Sequence, residues 1–540
     1  MTRTRRDASR RERPPPGVVG SVQLRDPVHG SMQLDGRLAG VLRHPLVQRL
    51  AWVWQTSLVC TVFPGATHNR LSHVLGVAHC AKTTLERLYQ EGWRDDPKGK
   101  MASRMKPDPG QAVPFHVLPK KLFEQNCFLA EAAGLVHDLG HGPLSHAFDG
   151  FAPFQTQVAE LIRQDPTTSR RFEGLVPYWS LLFPQESDPK ARVPHETMSV
   201  LFFAQIWTEV NKDPSLDYLS AAMASMLLGG MIPEGERCIP EELRPWIGFV
   251  ADVISGSPWD ADRHDYLQRD ALYTGANYAA DSHFLKGMLC WWDGRSYRLG
   301  WRHSALSGIE AFVIARGHMF AQVYGHKTHT AAWYMLRRIA NRAATLGLTV
   351  MGTPDPNTWE ALAERYCRLS DAVFLEILQG HVFTIPESTG GYVMRVEDSE
   401  INDLAQRIAR RSFWKCLSGF ACATRSGAEA LLAELRVAFP GEAFLLAQRD
   451  PRVLKGFDKA APVLFRNDRG VYALRADRGT WFDVPPSFDG LKRGAQKYWR
   501  IYCTSAPSKA FLKKMREWVF HRRCPGQRRG AFYRRFSSVF

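Results

Sequence analysis

Residues 134–146 read GLVHDLGHGPLSH and gather three histidines and one aspartate where an apolar helix gives way to a glycine-rich turn. These residues are His137, Asp138, His141 and His146. Burying them without partners would cost free energy, so their spacing predicts a bound ligand. Neighbouring histidine and aspartate side chains can converge on one cation where a helix ends, and imidazole with carboxylate suits Fe, Mn, Zn or a similar divalent metal. The stretch therefore predicts a metal site at the end of a core helix.

Two candidates for completing this site lie far away in the sequence. His73 belongs to a helical segment that begins near Asn69, and Asp262 lies within WDADRHDY, residues 259–266. A lone His-Asp pair carries little information, whereas a histidine, a His-Asp pair and a distant aspartate in this order form a specific pattern. Taken alone, each of these residues is more often a hydrogen-bonded core or capping residue than a ligand.

The composition excludes several classes of protein. Of the 540 residues, 45% are hydrophobic and 23% charged, which excludes wholesale disorder. No run of about 18 apolar residues occurs, so we expect no membrane partner. The N-terminal arginines are not followed by an apolar stretch, so a secretory signal is not expected. The 10 cysteines form no CxxC pair, which argues against a zinc ribbon and favours reduced thiols in the cytoplasm.

The charge balance bears on partners. Lys and Arg number 70 against 54 Asp and Glu, so the formal net charge is 70 − 54 = +16. This excess favours polyanions such as nucleotides or nucleic acid. Arginines and lysines interleaved with aromatic residues over 513–540 suit single-stranded nucleic acid, although a solvated tail or an oligomer contact explains them equally well.

The pattern along the chain predicts a mainly α fold, a helical core with a C-terminal α+β lobe. Apolar residues recur at three- and four-residue spacing from Val22 to about Ala344. Two polar segments, Gly92–Pro114 and Asp165–Pro194, are predicted to be surface insertions. A single helix is predicted over Thr358–Leu378. Beyond it, strand-like runs (392–394, 443–447, 463–465 and 498–503) alternate with helical pieces (428–437 and 509–520), which is typical of an α+β lobe.

Taken in order, these motifs resemble the HD-domain phosphohydrolases. The closer resemblance is to the deoxynucleoside triphosphate (dNTP) triphosphohydrolase branch, which includes bacterial dGTPases and a vertebrate dNTPase with a SAM domain. The similar segments are Arg25–Gly30, Gln48–Leu50, Val62–Arg70 with His73, residues 134–146, Pro194–Glu196, Asp262–Asp270 and Arg316–Lys327. Arg500–Cys503 is similar to the C-terminal lobe of the family, and no SAM domain is visible. The implied organisation is a basic tail at 1–20, an HD domain at 21–345, a regulatory or assembly lobe at 346–512 and a basic aromatic tail at 513–540.

The resemblance implies roles for individual residues. The implied metal ligands are His73, His137, Asp138 and Asp262, with Mn, Fe, Mg or Zn as the ion. Arg70 would hold the α-phosphate, and His146, with Asp149 beside it, would protonate the leaving 5′-oxygen. The remaining implied pocket residues are His141 and His195 near that acid, Arg263, Tyr266 and Arg316 on phosphate oxygens, Gln55 and Asp270 on the sugar, and Tyr324 and Lys327 beside the ribose. A metal lowers the pKa of water, arginines offset phosphate charge, and imidazole donates protons near neutral pH.

Several positions depart from the vertebrate enzyme. Thr56 replaces a leucine of the sugar-selecting wall, and Gly325 replaces a polar residue after the pocket tyrosine. At the nucleotide-activator site, Arg43 occupies the position of the acidic residue that binds guanine in the vertebrate enzyme, and Ala51 occupies the position of an arginine. An arginine cannot make the hydrogen bonds of a carboxylate. A different effector is therefore expected if activation exists.

Three functions remain open from the sequence. The leading one is a metal-dependent dNTP triphosphohydrolase of broad or dGTP-preferring specificity, in the service of dNTP pool control or of defence against phage or virus. The second is an HD phosphodiesterase or nuclease acting on single-stranded nucleic acid or a signalling nucleotide. The third is a nucleotide-sensing module with a purely structural HD site. The family resemblance also implies a homo-oligomer with a nucleotide effector.

Overall fold

The computed structural model describes residues 20–95, 112–113, 118–256, 258–276, 282–348, 352–353, 355–385, 391–417, 424–449, 463–467, 470–474, 498–505 and 508–521. The basic tail predicted at 1–20 lies outside these ranges except for Gly20, and so do residues 522–540 of the C-terminal tail. Most of the predicted Gly92–Pro114 insertion also lies outside them.

Helices make up most of the described chain, which confirms the predicted mainly α class. Those of the N-terminal part are α1 (Ala39–Arg43), α2 (Pro45–Gln48), α3 (Arg70–Asp95), α4 (Lys120–Val136), α5 (Gln155–Gln164), α6 (Pro166–Arg171), α7 (Trp179–Leu182), α8 (His195–Val210), α9 (Leu219–Leu227), α10 (Arg244–Ser255), α11 (Ala261–Thr274), α12 (Leu306–Met319) and α13 (Lys327–Leu346). Those further on are α14 (Trp359–Arg368), α15 (Asp371–Leu378), α16 (Ser399–Ala409), α17 (Arg425–Ala438) and α18 (Lys509–His521).

The strands form small separate sheets. They are β1 (Ser21–Asp26), β2 (Gly30–Asp35), β3 (Ala112–Val113), β4 (Met288–Trp292), β5 (Tyr297–Arg302), β6 (Phe383–Ile385), β7 (Tyr392–Met394), β8 (Lys415–Cys416), β9 (Phe444–Arg449), β10 (Val463–Asn467), β11 (Gly470–Leu474) and β12 (Tyr498–Cys503). β1 pairs with β2 and β6 with β7, while β8-β12-β9 and β11-β10-β5-β4-β3 form larger sheets. The only parallel pairing among the described strands joins β10 to β5. That sheet therefore unites residues from both sides of position 345, and the domain boundary there stays a prediction.

Helices α3 and α4 pack against each other and position three of the four predicted metal ligands, His73 on α3 and His137 and Asp138 directly after α4. Their backbones approach closely because Gly134 of α4 has no side chain: a Cβ there would lie 2.6 Å from the Cα of Ala78. α4 begins after Pro119 and ends at Val136, with His137 as its C-terminal cap. The helix thus stops at the His-Asp pair, as the sequence predicts.

Two predictions about local structure are wrong. The helix predicted over Thr358–Leu378 is interrupted after Arg368, because Ser370 caps the start of α15 by accepting a hydrogen bond from the Val373 N–H. The segment Asp165–Pro194 is not simply a surface insertion, because Tyr178 and Leu182 are fully buried in the main hydrophobic core. The average composition of this segment is polar, so composition alone does not predict that these two residues are buried.

The C-terminal region follows the predicted alternation of strands and helices. A small hydrophobic cluster built around Leu435, Ile501 and Met515 forms its interior. Within the described ranges, no helix has both the length and the apolar character that crossing a membrane requires.

Candidate metal and phosphate site

Three helices bring the four predicted metal ligands together. His73 lies in the first turn of α3, His137 and Asp138 follow α4, and Asp262 lies in the first turn of α11. The His73 Nε2 atom is 3.2 Å from Asp262 Oδ1 and 3.6 Å from Asp138 Oδ2. The His137 Nε2 atom is 3.6 Å from Asp138 Oδ2 and 3.8 Å from Asp262 Oδ1. Side chains separated by up to 189 positions in the sequence (262 − 73) thus surround one point.

The two imidazoles are oriented as metal ligands require. Both Nε2 atoms are buried and lack a hydrogen-bond partner in the described part of the chain. The opposite ring nitrogens are engaged: His73 Nδ1 lies 2.7 Å from Asp265 Oδ2, and His137 Nδ1 lies 2.9 Å from the Gly134 carbonyl oxygen. A neutral histidine that donates from Nδ1 presents the lone pair of Nε2, which is the usual arrangement of a metal-binding histidine. The residues therefore fit a divalent cation.

The carboxylates are held ionised. Burial raises the pKa of Asp138, but His137, Arg70 and His141 outweigh it and hold that pKa well below the usual range. Burial also raises the pKa of Asp262, and the contacts with His137 and His73 again lower it below its ordinary value. Burial lowers the pKa of His73 and of His137, but the neighbouring carboxylates outweigh it, raising the pKa of His73 to about 10 and that of His137 above its usual value. A metal would therefore displace a proton from each ring, and carboxylate oxygen with imidazole nitrogen suits a metal such as Mn, Fe or Zn.

Asp265 holds His73 through Nδ1, the ring nitrogen opposite the proposed metal-binding Nε2. Its buried carboxylate also accepts from Arg269, through Nε at 2.9 Å and Nη2 at 2.8 Å, and lies 2.7 Å from His29 Nε2. Arg269 continues to Asp26 of β1, with Nη1 2.7 Å from Asp26 Oδ2. Each buried charge has a partner, which makes the network tolerable in the interior.

A histidine cluster adjoins the metal candidates. The His141 and His195 rings stack with centroids 3.8 Å apart, and the His146 ring lies 5.2 Å and 5.4 Å from them. His141 Nε2 is 3.3 Å from Asp138 Oδ1, so Asp138 faces both groups. Burial lowers the pKa of His141 and that of His195, which keeps these two rings neutral. His146 is 64% exposed, with Nδ1 3.5 Å from Asp149 Oδ2, and is therefore accessible to a ligand and to solvent.

Arg70 connects the metal candidates to an unusual turn. Its guanidinium donates to Asp138 and, over 2.8 Å, to the Ser145 Oγ atom. Leu144 and Ser145 adopt left-handed backbone conformations, with φ of 55° and 58°, which non-glycine residues rarely do. The Asp371 carboxylate holds this turn by accepting from the Leu144 N–H at 2.7 Å.

A second group of predicted residues forms a polar cluster around Asp270. Asp270 lies 2.7 Å from His68 Nε2 and accepts from the Tyr324 hydroxyl. The Tyr324 and Tyr266 rings lie 6.4 Å apart, and Tyr266 hydrogen-bonds to Arg316. Tyr324 ends a single π-helical turn, Phe320–Tyr324, between α12 and α13.

Three predicted residues, Gln55, Arg263 and Lys327, form no hydrogen bond or ion pair with the metal ligands or with Asp270 among the described contacts. Gln55 Oε1 and Thr56 Oγ1, from adjacent residues, are buried atoms without a hydrogen-bond partner among the described residues, as expected where a polar ligand binds. Arg263 is engaged in an ion pair, with its Nη1 atom 3.0 Å from Asp260 Oδ2, and would have to leave this pair to contact a ligand. Lys327 is the exposed first residue of α13.

Sequence reasoning missed several supporting residues, namely Asp265, Arg269, His68 and Asp371. Asp265 and Arg269 lie four positions apart on α11, which is a pairing signal but does not reveal their partner. His68 lies in a segment that resembles the family, but nothing in that segment indicates its contact with Asp270. Asp371 carries no local signal, because its partners, Trp54 and Leu144, are more than 200 positions away.

Comparisons with known proteins find similarity to proteins named as deoxynucleoside triphosphate triphosphohydrolases. No protein-family model matches the chain. The chain is 25% identical over 381 residues to human deoxynucleoside triphosphate triphosphohydrolase SAMHD1, covering 66% of this chain and 50% of the human protein. The chicken protein of the same name is 24% identical over 412 residues, which is 73% of this chain and 55% of that protein. An uncharacterized protein, MG461 of Mycoplasma genitalium, is 24% identical over 336 residues, 58% of this chain and 60% of that protein. The chain thus spans about half the length of the curated vertebrate relatives it matches.

Proposed function

We propose that this chain, which is about 25% identical to vertebrate dNTP triphosphohydrolases, is an HD-domain, metal-dependent enzyme that hydrolyses a dNTP to a deoxynucleoside and inorganic triphosphate. The observation that carries the proposal is the meeting of His73, His137, Asp138 and Asp262, with both Nε2 atoms turned toward the two carboxylates.

These four residues would hold a divalent cation. When bound, the cation would supply Lewis-acid stabilisation and an acidified water beside the α-phosphorus. Arg70 lies next to this position, and its guanidinium matches two oxygens of one phosphate group. Arg316, which hydrogen-bonds to Tyr266, would offset the charge of the outer phosphates, and Arg263 would do the same once it leaves Asp260. Together the cationic groups favour a triphosphate over an uncharged ester.

The reaction needs a proton for the leaving 5′-oxygen. As water adds to the α-phosphorus and the bond to the 5′-oxygen breaks, His146 would donate that proton; its Nδ1 atom lies 3.5 Å from Asp149 Oδ2. His141 and His195 stay neutral and pack around it, so they line the pocket without competing for the proton. General acid catalysis of this kind contributes about 10²–10⁴ in rate.

The sugar would lie beside the polar cluster around Asp270, beyond the phosphates. Asp270 and the Gln55 side-chain oxygen are acceptors for a ribose hydroxyl, and Tyr324 offers a ring beside them. Lys327, exposed at the start of α13, would lie beside the ribose. Thr56 and Gly325 leave both 2′-hydroxyl rejection and base choice open, including a preference for dGTP.

The wider setting of the enzyme is also part of the proposal. A cytoplasmic homo-oligomer that responds to a nucleotide effector is consistent with the family, and Arg43 argues against a guanine effector bound as in the vertebrate enzyme. dNTP pool control and antiviral defence would both use this reaction.

The direct test incubates the pure protein with Mn²⁺ and each dNTP and separates the products. We expect deoxynucleoside and triphosphate from the wild type, and loss of both bound metal and turnover in His137→Ala and Asp138→Ala while the C-terminal α+β lobe stays folded. The matched control is His381→Ala, because that histidine is 61% exposed and pairs only with Glu376 in the described part of the chain. Release of monophosphate and pyrophosphate, cleavage of single-stranded DNA or RNA in place of dNTPs, or turnover retained by His137→Ala would overturn the proposal.

A further inference from the structure

His68 lies outside the residues to which the family resemblance assigns a role, yet it contacts two of the proposed sugar ligands. It belongs to the loop between the turn Ser57–Thr61 and helix α3. Its side chain is 1% exposed, and its Nε2 atom lies 2.7 Å from Asp270 Oδ1. Its main-chain carbonyl accepts the Gln55 N–H at 3.0 Å. One residue therefore fixes a carboxylate through its ring and a neighbouring segment through its backbone.

The position of the ring is itself determined by packing. The His68 ring stacks on Tyr273 with centroids 4.6 Å apart and planes 21° apart. The loop can approach this end of α11 because Gly65 has no side chain: a Cβ there would lie 2.6 Å from the Tyr273 carbonyl oxygen. The ring thus has little freedom to turn away from Asp270.

The hydrogen bonds on Asp270 define what else it can bind. A carboxylate accepts about four hydrogen bonds. His68 occupies one oxygen and the Tyr324 hydroxyl the other, so both oxygens are held while acceptor capacity remains. A buried, acceptor-only group of this kind takes a donor, and a sugar hydroxyl is such a donor. The Gln55 side-chain oxygen, buried and without a partner in the described ranges, is a second acceptor tied to the same histidine.

We propose that His68 is a positioning residue for sugar recognition, which holds Asp270 and the Gln55 segment so that they accept the 3′-hydroxyl of the substrate. This inference rests on the proposed function, because it assumes that the pocket holds the sugar of a dNTP. His68 touches none of the four proposed metal ligands in the described contacts, so its effect is on recognition and not on metal binding. It donates to Asp270 from Nε2, and a donor at that position is what the site requires.

The test compares kcat/KM for a dNTP with that for the 2′,3′-dideoxy analogue of the same base. His68→Phe keeps the ring and its stacking on Tyr273 but lacks the donor, whereas His68→Gln keeps an N–H at similar reach. We expect the wild type to prefer the dNTP and His68→Phe to lose about tenfold or more of that preference, mainly through KM, since a hydrogen bond to a charged group is lost. We expect His68→Gln to restore most of the preference. Asp270→Asn should lower it as well, and the double variant should lose little more than either single one.

Two further measurements separate the possible outcomes. Bound metal should be unchanged in His68→Phe, and His381→Phe should keep the wild-type preference. A preference retained by His68→Phe, or activity on both substrates lost equally in the Phe and Gln variants, overturns the inference while leaving the proposed function intact. A wild type inactive on every dNTP overturns both.

Discussion

At the scale of single residues, Asp265 decides how His73 is presented. Its carboxylate lies 2.7 Å from His73 Nδ1 and is itself anchored by Arg269. This arrangement leaves Nε2 as the only ring nitrogen that can bind a cation. Gly76 makes room for it, because a Cβ at that position would lie 1.8 Å from Asp265 Oδ1.

We expect Asp265→Asn to weaken metal binding by about 10- to 100-fold, the usual effect of changing a partner of a ligating histidine. The amide can still contact His73 but no longer balances Arg269. Titration of the metal-free protein with Mn²⁺ measures the change in affinity. The control is Asp403→Asn, an exposed aspartate on α16. Equal affinities for Asp265→Asn and the wild type would show that Asp265 does not prepare the ligand.

At the scale of elements, the contact between α3 and α4 contains one ionisable group that should report on pH. Glu131 of α4 is 1% exposed, lies 3.1 Å from Lys82 Nζ of α3 and accepts from the Asp35 N–H. Burial raises its pKa to about 7 from 4.5, although Lys82 and the Asp35 N–H oppose the shift. The folded state therefore binds this proton more tightly than the unfolded state does. The stability it contributes is fully present below about pH 4.5 and is lost as the pH rises through about 7.

Glu131→Gln should remove this dependence. We expect the wild type to lose stability relative to the variant between pH 5 and pH 8, by at most about 3 kcal/mol. Denaturation series at several pH values measure the free energy of unfolding of both proteins. The variant also loses the ion pair with Lys82, which shifts its free energy of unfolding by a constant amount but does not change how that free energy varies with pH. Glu124→Gln, on the exposed side of the same helix, is the control. Parallel pH profiles for the Glu131 variant and the wild type would contradict the prediction.

At the scale of the whole molecule, the C-terminal region contacts the N-terminal part, which carries the candidate site, at several points. Asp371 of α15 accepts from the Trp54 and Leu144 N–H groups, and so spans two segments of the site. On β12, Arg500 Nη1 lies 2.7 Å from the Gly325 carbonyl oxygen, and the Tyr502 hydroxyl lies 3.0 Å from the Lys327 carbonyl oxygen. These last contacts fix the segment directly after Tyr324.

We expect Arg500→Ala to raise KM for a dNTP several-fold while kcat and bound metal change little. The reason is that the segment after Tyr324 would lose a support from the C-terminal region without any change near the metal ligands. Steady-state kinetics together with metal analysis test this. Lys415→Ala, an exposed position on the neighbouring strand β8, is the control. A loss of kcat with unchanged KM would mean that the lobe acts on the chemistry and not on sugar binding.

The sequence alone determined the helical class, the end of α4 at the His-Asp pair and the alternation of strands and helices after Leu378, because periodicity and capping are local properties. It also pointed to His73 and Asp262, since the ordered motif is specific. Only the tertiary structure decided which side chains support these residues: the reach of Asp265 to His73, of His68 to Asp270 and of Asp371 to the Leu144 turn. Such contacts join positions far apart in the chain, and a hydrogen bond between them depends on how helices pack, which no local pattern encodes.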